Sequence, residues 1–74
     1  MTRERQMAVK IDERKRLFDM STQDLATICG LDVRTMRRRM QHPELFRLDE
    51  LVRLEKKLKT NLLDTETLKD KGYL

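Results

Sequence analysis

Ser21, Gly30 and Asp32 divide the stretch from Ser21 to Met40 into a short helix, a turn and a second short helix. Ser21 is a favoured N-cap, and Ser21-x-x-Asp24 approximates a capping box with an acid shorter than the usual Glu. Gly30 can take a positive φ just past the helix end and so stop it. Asp32 then opens the next helix by accepting backbone N–H groups near Arg34 or Thr35. Leu25, Ile28 and Cys29 supply the inward side of the first helix, and Ala26 is small enough to let another helix approach closely. Met36 and Met40, four residues apart, give the buried edge of the second helix.

The rest of that second helix is cationic. Val33, Arg34, Arg37 and Arg38 lie opposite Met36, with Arg39 on the flank. A solvated surface helix usually pairs its charges at i±4, but positions 33, 35, 40 and 41 carry no carboxylate. The arginines are therefore placed for something outside the helix. A helix about three turns long also has the width that the DNA major groove admits.

Charge along the chain supports the same reading. The formal net charge is +4, but residues 17–30 carry only two acids and residues 44–74 balance seven acidic against seven basic side chains. The excess sits in residues 1–16, with six basic and three acidic side chains, and in the four arginines of 31–43 against Asp32. A local basic face is more informative than a basic total.

The 74 residues suit one domain over 1–74 with a modest core. Hydrophobic residues at 38% and charged residues at 41%, with two Gly and one Pro, fit a helical, loop-poor domain. Cys29 and His42 are the only cysteine and histidine, too few for a disulfide or a zinc site. No apolar run approaches the length of a membrane span, no secretory h-region is present, and a reducing cytoplasm is the expected compartment. There is no Gly-rich phosphate loop, no nucleophile–base set and no carboxylate pair framed by apolar residues, so neither an enzyme, a cofactor, a metal nor a small-molecule ligand is expected.

A first helix is predicted from Thr2 or Arg5 to Asp19, with Met7, Ile11, Arg14 and Phe18 on one line, flanked by Leu17. Arg14 can lay its methylenes on the core and lift its guanidinium to the rim. Val9 points away, either exposed by chance or touching a second chain. Pro43 ends the Arg helix by Gln41 or His42, and Leu45 and Phe46 are expected to fold back onto the core. A fourth helix runs from Leu48 to Leu58 with an apolar stripe of Leu48, Leu51, Val52, Leu54 and Leu58. Asp49 and Glu50 at its start and Lys56, Lys57 and Lys59 at its end match the macrodipole. A brief fifth helix around 64–71 would carry Leu68. Leu62, Leu63, Leu68, Tyr73 and Leu74 either cap the core or pair two copies.

Residues from about Ile11 to Leu58 resemble the helix-turn-helix domains of the phage Cro and repressor family, the lambda-repressor-like fold. The resemblance rests on Gln23, Leu25, Ala26, Gly30, Leu31, Asp32 and Met36, and on the segment Pro43-x-x-Phe46-x-Leu48-Asp49-Glu50-Leu51. Arg39 stands where relatives usually carry an apolar residue, a duty expected to pass to Met40. Val33 and Arg34 replace the common glutamine or serine.

The resemblance implies an all-α, compact four- to five-helix domain that binds operator DNA as a homodimer and regulates transcription, typically in a phage or prophage. The second helix would cross the sugar–phosphate backbone and the third would enter the major groove. Val33, Arg34, Arg37 and Arg38 then become base-facing, while Thr22, Gln23, Thr35 and Arg39 become contacts to the DNA backbone. The competing reading is an interaction adaptor, such as an antitoxin, that holds an acidic protein on the same arginines. RNA is a weaker partner, since two Phe and one Tyr offer little stacking surface.

Overall fold

The computed structural model describes residues 2–63 together with Lys69 and Gly72. Among residues 2–63 four helices follow one another: α1 (Arg3–Leu17), α2 (Thr22–Cys29), α3 (Val33–Gln41) and α4 (Leu48–Leu58), with a 3-10 turn over Pro43–Leu45. No strand occurs among the described residues. The fold is all-α, as expected. α2 lies against both α3 and α4, while α1 packs on α4 and on the 3-10 turn.

Caps fix the helix starts. The Arg5 N–H donates to Thr2 Oγ1 at 3.1 Å. At α2 the Asp24 N–H donates to Ser21 Oγ at 3.1 Å and the Ser21 N–H returns to Asp24 Oδ2 at 2.8 Å, so the shorter acid does close the box. The Thr35 N–H donates to Asp32 Oδ1 at 2.9 Å. Each bond satisfies one donor that the helix cannot satisfy internally.

Helix ends bring two surprises. Gly30 ends α2 in the left-handed region, with φ 72°, and the Leu31 N–H reaches back to Ala26 O at 2.8 Å. Asp19 (φ 54°) and Lys59 (φ 52°) adopt that same conformation without being glycines. After α1 the Met20 N–H bonds Lys15 O at 2.8 Å and the Asp19 N–H bonds Arg16 O at 3.1 Å, a Schellman closure. α1 therefore stops at Leu17, two residues before the expected Asp19. The reversal leaves Leu17 and Phe18 exposed, contrary to their expected place in the buried stripe. The Arg14 guanidinium lies 6.0 Å from the Phe18 ring centre, over its face.

The core gathers Ile11 and Met7 of α1, Leu25, Ala26 and Cys29 of α2, Met36 of α3, Phe46, and Leu51, Leu54 and Leu58 of α4. Leu62 is buried and Leu63 packs against the same cluster, so both cap this core rather than lying free for a second copy. Ala8 is buried as well, and Pro43 takes the inward place expected of Leu45, which is exposed. The 3-10 turn advances only three residues per turn and so carries Leu45 off the inward side that Pro43 and Phe46 share. The expected fifth helix falls outside the described residues, as do Leu68, Tyr73 and Leu74. No helix among the described residues is long and apolar enough to cross a membrane.

Candidate nucleic-acid interface

α3 presents two different sides. Met36 is fully buried and Met40 half-buried against the core. Arg34, Arg37 and Arg38 are exposed, and Val33 is half-buried beside them at the start of the helix. Three turns earlier in the chain, Gln23 is exposed and Thr22 half-buried at the start of α2. The structure thus brings Val33, Arg34, Arg37 and Arg38 onto one short helix whose opposite side is anchored.

Arg39 does not join them. Its Nε donates to Glu50 Oε1 at 3.1 Å, and the two side chains are only 18% and 3% exposed. The expected backbone contact at Arg39 is therefore corrected: the side chain turns inward and ties α3 to α4. The same Glu50 oxygen accepts the Arg47 N–H at 2.9 Å, which caps the start of α4. Glu50 supplies the charge that allows Arg39 to sit largely buried between α3 and α4. The one signal of it in the sequence is that Arg39 flanks the buried edge of α3 set by Met36 and Met40. Thr35 is half-buried at the start of α3, and its hydroxyl and its N–H both bond Asp32.

The remaining arginines are occupied elsewhere. The Arg5 Nη2 donates to Gln41 O at 3.2 Å, at the C-terminal end of α3. The Arg14 Nη2 donates to Lys59 O at 2.9 Å, and the Arg53 Nη1 to Cys29 O at 3.2 Å. Each guanidinium thus satisfies a carbonyl at or beside the end of another helix, where positive charge is also favoured by the dipole. Arg16 pairs with Asp12 and Arg47 with Asp49, and Arg3 is likewise engaged. Among the described residues, Arg34, Arg37 and Arg38 are the arginines whose guanidinium groups make no hydrogen bond or salt bridge.

Electrostatics separate the turn from the interior. Thr35 holds the Asp32 carboxyl below its ordinary value through its hydroxyl and then its N–H, with the Arg34 guanidinium helping. Burial pushes the Cys29 thiol up to about 11, with the Glu50 carboxylate adding to the effect. Its S–H points to Glu50 O at 3.9 Å. A thiol so placed stays protonated and acts as a small core residue. Among the described residues no group of His, Cys, Asp and Glu is arranged to hold a metal ion.

No family model matches the chain. No curated protein and no solved structure matches it either.

Proposed function

We propose that the chain is a sequence-specific double-stranded-DNA-binding regulator of transcription, of the phage Cro and repressor type, acting as a homodimer. One observation carries the reading: Arg34, Arg37 and Arg38 stand exposed on α3 with no guanidinium hydrogen bond or salt bridge, while the other arginines are spent on partners within the chain. Unpaired guanidinium groups on an anchored helix are preorganised for bidentate recognition, and guanine O6 and N7 present that acceptor pair in the major groove. With its side chains an α-helix such as α3 is about 10–12 Å across, which fits a groove about 12 Å wide.

In this arrangement Arg34, Arg37 and Arg38 read bases and Val33 meets a thymine methyl. Gln23 and Thr22, at the start of α2, bond phosphates. With Leu62 and Leu63 packed into their own core, the exposed apolar side chains left for pairing two copies among the described residues are Val9, Leu17, Phe18 and Leu45.

Selection of the full chain against random duplex DNA tests the proposal. Enrichment of a short, roughly two-fold symmetric motif is the expected result. A flat profile with only salt-sensitive general affinity overturns it and favours an acidic protein partner for the same arginines. Repeated with Arg37→Ala, the selection should relax at one base position, whereas Gln23→Ala should weaken all sequences evenly.

A further inference from the structure

Far from the free side of α3, α1 and the end of α4 enclose an open cleft of about 560 Å³. Its walls carry Lys10, Arg14, Lys56 and Lys59, with Thr60 and Asn61 beside them. Arg5 bonds the last residue of α3, and Arg14 lies nine residues further along the same helix, about 13 Å away. The cleft therefore belongs to the other end of α1.

The walls are held in place. The left-handed turn at Lys59 swings the chain back beside α1. There the Arg14 guanidinium holds Lys59 O at 2.9 Å and the Lys10 ammonium holds Asn61 O at 3.4 Å. The one carboxylate among the described lining residues, Glu55, is used by its own segment: Oε2 accepts both the Leu62 and Leu63 N–H groups at 3.0 Å. Lys10 and Arg14 each spend one donor on a carbonyl and retain others, since an ammonium has three and a guanidinium five. The Lys56 and Lys59 ammonium groups make no hydrogen bond or ion pair among the described residues.

We infer that this cleft binds a compact, multiply charged phosphate group. Among the described residues four cations border a space whose single acid is already committed to backbone amides, and a hydroxyl and an amide lie beside them. Among the described residues no aromatic side chain lines it to stack a nucleobase, so the phosphates themselves are what it recognises. Phosphate of this kind is offered by a free oligophosphate or by the backbone of a nucleic acid.

Calorimetric titration of the full chain with tripolyphosphate, and in parallel with a random-sequence duplex, tests the inference at matched ionic strength. Lys56→Gln and Lys59→Asn are combined, because Asn tolerates the left-handed conformation at 59. Lys57→Gln, an exposed residue of α4 outside the cleft lining, is the control, and circular dichroism verifies that every variant keeps its helices. Saturable one-site binding of tripolyphosphate is expected, weakened about tenfold or more in the double variant and unchanged in the control. If duplex binding falls in step with tripolyphosphate binding, the phosphate comes from nucleic acid; a loss confined to tripolyphosphate identifies a free oligophosphate. Non-saturating binding of tripolyphosphate, or an equal loss in Lys57→Gln, overturns the site.

Discussion

Arg39 and Arg37 are two residues apart on one helix and belong to different parts of the molecule. Arg39 faces a carboxylate that is 3% exposed, so its removal leaves Glu50 buried with only a backbone N–H for a partner. Arg39→Ala should lower stability by about 3 kcal/mol, read from urea unfolding. Arg37→Ala should change stability by less than about 0.5 kcal/mol yet weaken specific DNA binding by about 1–3 kcal/mol. Equal stability losses in the two variants would refute the division of labour. Asp32 adds a pH dependence. Its carboxyl is held below the ordinary 3.8, so its contribution is present in full above that value and is lost as pH falls through the lower, folded-state value. Acid unfolding of Asp32→Ala should therefore show a shallower loss of stability below about pH 4 than the parent chain. The pairing of Arg39 with Glu50 was not legible for a definite reason: a helical pattern assigns sides by polarity, and two opposite charges that neutralise each other inside the fold defeat it.

Element boundaries followed the capping chemistry closely wherever a cap residue announced them. Ser21, Gly30 and Asp32 set α2 and the start of α3, and α4 spans the expected Leu48–Leu58. The boundary that moved is the end of α1, where Asp19 takes a conformation usually marked by Gly. An aspartate there looks like any surface acid in sequence, so the exposure of Leu17 and Phe18 could not be read from periodicity. Gly30 is required twice over. Its φ of 72° disfavours any Cβ, and a Cβ at that position would lie 3.2 Å from the Arg53 Nη1 that caps Cys29 O. Gly30→Ala should cost about 1–2 kcal/mol from the left-handed backbone alone, with more if Arg53 is displaced. Thermal unfolding measures it, and an unchanged midpoint would refute this account of the turn.

For the whole molecule, the all-α class and most of the core were readable because apolar residues at 3.6-residue spacing leave few alternatives. The association state was not, since the same leucines can close a core or join two copies. Leu62 and Leu63 do the former. Light scattering over a concentration series, with and without a selected duplex, should show two copies on DNA; one copy at every concentration would sink the dimer. The cleft at the far end of α1 was also hidden, because Lys56, Lys57 and Lys59 were already accounted for by the α4 dipole and Lys10 lies far from them in sequence.

α3 contributes one fully buried side chain, Met36, to the interior. Its grip on the rest of the molecule comes from that residue, Met40, the Arg39–Glu50 pair and the caps at its two ends. Positions 34, 37 and 38 carry none of that load, so substitutions there leave the folding equilibrium nearly untouched. Mutation can drift through those three codons while the scaffold stays constant. Descendants of such a chain could acquire new binding preferences without first accumulating compensating changes in the core.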